Sequence, residues 1–396
     1  MDIKKGELMK NRTLLMIPGP IEFEPAVLSA LGAPTTGHLA ANFIEAFGQA
    51  LERMREVFLA PDGQPIVLAG TGTLAMDSAA ANLVQTGDRA LVINTGFFGD
   101  RFAAILERYG ARVDQVTSQV GGRPSLDQVE AALKNGPYKL VTATHVDTST
   151  GVITDVKALA ALARQSGALF VVDGVCSVAG EELRMSEWGV DLVLTASQKA
   201  VGVPPGLALL MVGPRAMDVF KARTTAVGSY YADWSNWLGV MQAYEARKTA
   251  YFGTPAVNLV FALNASLELI LKEGMRSRVE RHRAVGLACR AGLKALGLGQ
   301  VPLSDDFAAN TMSAPRFPAG VKGPEFLAAA AKAGVTLAGG LHLAIRSEYF
   351  RIGHMGSTGL GDILATLGAV EIALETGGYR FPAGSGVAAA RAAYSA

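Results

Sequence analysis

Three stretches of this chain carry residue types that could do chemistry together. The first is Gly70-Thr71-Gly72-Thr73-Leu74-Ala75, a small-residue turn between an apolar run and an Ala-rich helical pattern. Two hydroxyls beside backbone N–H groups at a helix N-terminus suit a phosphate. The second is Asp173, which closes the run Phe170-Val171-Val172. That puts a carboxylate at the carboxyl end of a buried strand, where open α/β sheets place their ligands. The third is Lys199, in Ser197-Gln198-Lys199, after Leu192-Val193-Leu194 and before Gly202-Val203-Pro204-Pro205-Gly206. An amine in apolar surroundings loses pKa and becomes a nucleophile and base.

Each has a plainer reading. The turn also matches G-x-G-x-x-A, the dinucleotide fingerprint, and could be a turn and no more. A dinucleotide site needs an acid at the end of the following strand. Here Asp88 precedes the strand Ala90–Ile93, which ends instead in Asn94-Thr95-Gly96. A lone Asp after a strand is commonly a helix cap, and a lone Lys commonly snorkels to the surface. In sequence order, though, the three suit pyridoxal 5'-phosphate. The cradle would take its phosphate, the carboxylate would keep its pyridine nitrogen protonated, and the lysine would attach it and then shuttle a proton.

The elements that must position these residues are legible as alternating patterns. Short apolar runs at Ile66–Ala69, Ala90–Ile93, Leu140–Thr144, Ala168–Val172, Leu192–Leu194 and Leu207–Val212 read as strands, with helical spacing between them over Phe102–Tyr109 and Leu159–Gln165. That is a βαβ series with a mostly parallel sheet. Beyond Pro255 the texture changes. Asn258–Leu298 predicts one or two long helices, Phe326–Ala333 a helix, Tyr349–Ile352 a strand and Asp362–Leu374 a final helix, before an Ala/Gly-rich tail after Ala383. The expected division is an N-terminal segment 1–20, a large domain 21–274 and a small α+β domain 275–396.

Composition narrows the function classes. With 36 Lys+Arg against 35 Asp+Glu the chain lacks the basic excess that nucleic acid or anionic membrane would select. Hydrophobic residues at 50% and charged residues at 18% exclude disorder and favour a buried subunit interface. Cys176 and Cys289 are too few for a disulfide framework or a CxxC metal site, so no metal is expected. The charged start, Met1 to Glu7, is no secretory signal, no run reaches the ~18 apolar residues of a membrane span, and Tyr394-Ser395-Ala396 is not a peroxisomal address. A cytoplasmic protein is expected.

Several motifs together resemble a known family. In order these are Pro18-Gly19-Pro20, Gly70-Thr71-Gly72-Thr73, His145-Val146-Asp147-Thr148-Ser149-Thr150-Gly151-Val152, Val172-Asp173-Gly174-Val175, Ser197-Gln198-Lys199 with Pro204-Pro205-Gly206, and Arg351-Ile352-Gly353. They resemble the class V aminotransferases over nearly the whole chain, and within them the alanine/serine–glyoxylate branch. Ser229-Tyr230-Tyr231 and Arg351-Ile352-Gly353-His354-Met355-Gly356 are similar to its fungal-type enzymes.

The resemblance implies fold type I of the pyridoxal-phosphate enzymes, built like aspartate aminotransferase. It implies Lys199 as the cofactor-bearing lysine and Asp173 as the partner of the pyridine nitrogen. Thr71, Gly72, Thr73 and Gln198 would hold the phosphate, although relatives often carry a His where this chain has Thr73. Thr148 would bond the ring's phenolic oxygen, and Phe98 would stack on the ring where relatives have Trp or Tyr. Arg351 would grip the substrate carboxylate, beside Gly19. Tyr251 and Thr254 would reach the phosphate of a neighbouring subunit, making the active site a homodimer's. The implied reaction takes an amino group from alanine or serine to glyoxylate. Alternatives are another donor, such as ureidoglycine, or a cysteine desulfurase. The latter is disfavoured because Cys289 lies inside the helical pattern Gly286-Leu287-Ala288-Cys289-Arg290. His38, His342 and His354 lack metal spacing and are expected as core or capping residues, with the substrate mouth as the alternative that the resemblance offers for His38 and His354. Trp234, Trp237, Tyr230 and Tyr231 are expected in packing or an interface.

Overall fold

The computed structural model describes residues 13–395. The charged start, Met1 to Glu7, and the last residue, Ala396, lie outside the described residues. In chain order the first strands are β1 (Leu14–Leu15), β2 (Gln64–Gly70), β3 (Arg89–Asn94), β4 (Arg112–Thr117), β5 (Leu140–Thr144), β6 (Val146–Asp147) and β7 (Val152–Ile153). They are followed by β8 (Leu169–Asp173), β9 (Leu192–Ala196), β10 (Gly206–Val212), β11 (Met312–Ser313), β12 (Val335–Thr336), β13 (Ala338–Gly339) and β14 (Phe350–Gly353).

Seven of these form the central sheet, in the order β2-β10-β9-β8-β5-β3-β4. The pairs β3–β4, β3–β5, β5–β8 and β8–β9 are parallel. β10 runs antiparallel to both neighbours, so the sheet is mixed at one side. Every residue of β5, β8 and β9 is buried, which is why these strands read as unbroken apolar runs rather than alternating ones. Each fully buried Val, Leu or Ile contributes roughly 1.5–3 kcal/mol, so these strands anchor the sheet. Edge strand β4 has no fully buried residue and no apolar run, and the sequence reading passed over it for that reason.

The large apolar core surrounds this sheet. A second cluster gathers Cys289, Leu293, Phe326, Phe350, Ile363 and Leu367, and it also takes in Met16 from the start of the chain. The region after Pro255 holds two long helices, Val257–Glu273 and Met275–Ala295, parted at Gly274 with its φ of +84°. Helix Leu360–Thr376 is not the last. The Ala/Gly-rich tail forms a further helix, Ser385–Tyr394, whose first turn gives its N–H groups of Gly386 and Val387 to the buried Glu371 carboxylate. That carboxylate takes the capping role a side chain would normally fill at the helix start.

The N-terminal segment threads between these regions. Leu14 and Leu15 pair with β12, Gly353 of β14 donates to the Met16 carbonyl at 2.9 Å, and Ile21 donates to the Gln198 carbonyl at 3.3 Å. This path brings Pro18 and Gly19 against Lys199. No helix among the described residues is long and apolar enough to cross a membrane.

Three buried histidines make the fold sensitive to acid. Burial holds His145 down to about 4 and His354 to about 3, and it pushes His282 well below its ordinary value. These rings stay neutral in the fold while the unfolded chain takes up protons near 6.5. Their stabilisation is therefore complete above that pH and is lost as pH falls from about 6.5 toward 3–4. His145 and His354 should each cost about 2 kcal/mol between pH 7 and pH 5, with His282 acting in the same direction. The Tm should fall across that range, and a flat Tm would contradict this.

Candidate active site

The carboxyl edge of the sheet collects the chemistry. Gly70 ends β2 and lies opposite Gly206 at the start of β10, while β9 delivers Ser197-Gln198-Lys199 next door. Asp173 ends β8, opposite Thr144 of β5. A cavity of about 210 Å³ opens there. Its walls include Thr71, Gly72, Thr73, Phe98, Thr148, Asp173, Gln198 and Lys199, every cofactor contact expected from within this chain.

The cradle is the first turn of helix Gly72–Leu83. Thr71 precedes it in extended backbone, with no bond from its side chain to the cap, so the first N–H groups and the Thr71 hydroxyl face the cavity open to an anion, while Thr73 Oγ1 accepts from Arg101. A Cβ at Gly72 would meet Val175 Cγ2 at 2.9 Å, so a side chain there would force Val175 or the cradle to shift.

Asp173 is 2% exposed, and its Oδ1 accepts from the Val175 N–H at 2.9 Å. Burial raises its carboxyl to about 7, against the lowering pull of that bond and of Lys199. Lys199 is shifted the opposite way, lowered by burial and by the Arg351 charge although Cys176 and Asp173 favour its charged form. Its Nζ donates to the Pro18 carbonyl. Gly19, at φ +95°, passes so close that a Cβ would stand 2.7 Å from Nζ.

Phe98 is held by a residue that carried no role in the sequence reading. Asp147, fully buried, accepts from the Phe98 N–H at 3.0 Å through Oδ2 and from Ser149 N and Oγ at 2.8 and 2.6 Å through Oδ1. It therefore fixes the loop that aims the aromatic ring at the cavity. Arg351 comes from β14. Its Nε donates to the Gly339 carbonyl at 2.8 Å and its Nη1 to the Thr148 carbonyl at 3.1 Å. It forms no ion pair among the described residues.

Other expected residues lie elsewhere. Tyr251 is 63% exposed and packs on His38 with ring centroids 5.2 Å apart; neither it nor Thr254 lines this chain's cavity. His354 is a core histidine: it is fully buried, with Nε2 at 3.0 Å from Ser313 Oγ, where the β11–β14 pairing carries it inside. Trp234 and Trp237 are core residues, whereas Tyr230 is 81% exposed. Cys289 sits in the second core with its thiol pushed up to about 11, and Cys176 at the cavity is pushed up to about 12, so neither is poised as a thiolate. The described residues contain no His/Cys/Asp/Glu cluster that could hold a metal ion.

These residues fit pyridoxal phosphate. The open helix N-terminus answers a phosphate, and the Gln198 side chain brings amide N–H donors to the same cavity wall. The buried Asp173 carboxylate at the strand end answers a cationic ring nitrogen. In the cofactor-free chain that carboxylate is a burden. A raised carboxyl pKa leaves stability intact below 3.8 and erodes it as pH rises to about 7. Asp173→Asn should therefore stabilise the cofactor-free chain at pH 8 by roughly 2–4 kcal/mol and lose that advantage near pH 4. Denaturant unfolding at the two pH values checks this, and a variant less stable at pH 8 would refute it.

The comparisons agree with the geometry. The family described as Aminotransferase class-V matches residues 27–356. Alanine–glyoxylate aminotransferase 1 of Saccharomyces cerevisiae is 38% identical over 366 residues, 89% of this chain and 94% of its own. Serine–glyoxylate aminotransferase of Arabidopsis thaliana is 31% identical, over 96% of this chain and 94% of its own. The crystal structure of ureidoglycine–glyoxylate aminotransferase from Bacillus subtilis superposes with a TM-score of 0.90 at 29% identity, covering 98% of this chain and 100% of that one. With a fold type I sheet, a phosphate cradle, a strand-end aspartate and a buried lysine in one cavity, the chain belongs to the class-V aminotransferases and is a pyridoxal-phosphate enzyme.

Proposed function

We propose that this enzyme moves the amino group of alanine or serine to glyoxylate, releasing glycine and the matching 2-oxo acid. The observation that carries the reading is Arg351, a half-buried guanidinium beside Lys199 with no carboxylate partner among the described residues. A desolvated cation left unpaired calls for an anion from outside, and a planar fork binds a carboxylate best. The cavity, about 210 Å³, must also take the cofactor, which favours a substrate of few atoms. The named relatives that use glyoxylate support the acceptor.

The residue roles follow from position. Thr71, Gly72, Thr73 and Gln198 hold the cofactor's phosphate, Thr148 bonds the ring oxygen, Phe98 covers the ring and Asp173 pairs with its nitrogen. When bound, the cofactor supplies an electron-withdrawing ring that accepts the pair released as the substrate Cα–H bond breaks. Arg351, with Gly19 leaving room, fixes the substrate carboxylate and so the direction of that bond. Lys199 Nζ, its pKa lowered, takes the Cα proton from the donor and, in the acceptor half-reaction, supplies a proton to the carbon that becomes Cα of glycine. Exposed Tyr230, Tyr231 and Tyr251 support a homodimer in which Tyr251 and Thr254 complete a second copy's cradle. Two buried free cysteines suit a reducing cytoplasm.

A substrate survey tests this. Glycine formation is followed with alanine, serine and aspartate as donors, and with glyoxylate, pyruvate and 2-oxoglutarate as acceptors. Alanine or serine with glyoxylate should give the highest kcat/KM. A tenfold preference for aspartate, or for another acceptor, would overturn the reading.

A further inference from the structure

The cradle has a charge deficit. Thr71, Gly72, Thr73 and Gln198 are all neutral, and a helix N-terminus supplies only about half an elementary charge against a phosphate near two. Among the residues that line the cavity, Lys199 and Arg101 are the cations. Lys199 is held at the other side by the Pro18 carbonyl.

Arg101 stands in the first turns of helix Phe97–Arg108, next to the cradle. Its Nη1 donates to Thr73 Oγ1 at 2.9 Å. Its guanidinium carbon lies 4.9 Å from the Phe98 ring centroid and 5.0 Å from that of Phe97. It forms no ion pair among the described residues. One bond and two ring faces thus hold an uncompensated guanidinium at the mouth of the phosphate cradle. The rings contribute cation–π attraction and leave its remaining N–H donors unused.

We propose that Arg101 is a phosphate-binding residue of this enzyme, supplying the positive charge the cradle lacks and bracing Phe98 over the ring. The inference rests on the cofactor assignment and not on the choice of substrate.

Binding of cofactor, not turnover, tests it. The full chain, freed of cofactor, is titrated with pyridoxal 5'-phosphate and with pyridoxal, which lacks the phosphate, and each Kd is read from tryptophan fluorescence. Arg101→Gln keeps a donor for Thr73 and removes the charge. It should weaken pyridoxal phosphate about tenfold or more, the size of one charge-assisted bond, and leave pyridoxal within about twofold. Arg101→Lys should recover most of the loss. If Arg101→Gln weakens both compounds equally, the residue is structural and the proposal falls. If it weakens neither, the proposal also falls, and an accompanying rise in KM for aspartate would make Arg101 a substrate-side arginine instead.

Discussion

Lys199→Ala is expected to lower turnover by about 10⁴-fold or more and to abolish the visible absorption that develops when pyridoxal phosphate is added to the wild type. Two losses combine in that number. A positioned general base alone is worth about 10²–10⁴-fold, and the same amine is the point of covalent attachment. The fold should survive. Removing Nζ leaves the Pro18 carbonyl without its donor, which costs about 1–3 kcal/mol, but it also removes an amine held in apolar surroundings. These terms oppose each other, so Tm should move by no more than a few degrees. A variant that keeps a hundredth of wild-type turnover would show that another base does the work. A variant that fails to fold would make the amine structural, and Lys199→Met then separates the cases by preserving volume.

Arg351→Met carries the second large effect. It should lower kcat/KM for amino acids and for 2-oxo acids by about 10²-fold, mostly through KM, because a carboxylate loses a bidentate charged partner worth about 3 kcal/mol. A primary amine without a carboxylate should be used no less well than by the wild type, which separates lost recognition from a damaged site. Cofactor absorption should be intact, since Arg351 is not among the residues that line the cofactor cavity. The pH profile should also move. The Arg351 charge helps to hold the Lys199 amine down, so its removal raises that pKa and shifts the basic requirement to higher pH. Arg351→Lys is not expected to rescue fully, because a point charge offers no fork. An unchanged KM for alanine and serine would remove Arg351 from the substrate.

These residues were legible in the sequence to different degrees, for physical reasons. β5, β8 and β9 are buried on both sides, so their runs were continuous and their ends marked Asp173 and, shortly after, Lys199. The cradle declared itself because helix N-termini that bind anions need small residues at close approach. Strand direction was not legible. β10 reads like its neighbours, and only its short connection through Lys199 to Gly206 hinted that it reverses. Edge strand β4 and helix Ser385–Tyr394 lacked a periodic apolar signal, the first because it is solvated and the second because its buried residues are the small Gly386 and Ala390.

The hidden site residues share a different cause. Asp147 stood inside the motif that suggested the family but had no readable partner, since Phe98 lies 49 positions away and meets it only in the fold. Arg101 looked like any charged residue on a helix. Its proximity to Thr73 comes from the packing of two helices whose parent strands, β2 and β3, are far apart in the sheet.

The central claim is tested most directly by dividing the reaction in two. The enzyme with pyridoxal phosphate bound is treated with excess alanine, freed of small molecules and then given glyoxylate alone. The account predicts loss of the visible absorption with alanine, its return with glyoxylate, and one glycine released per active site. Return with pyruvate or 2-oxoglutarate but no glycine from glyoxylate would contradict it.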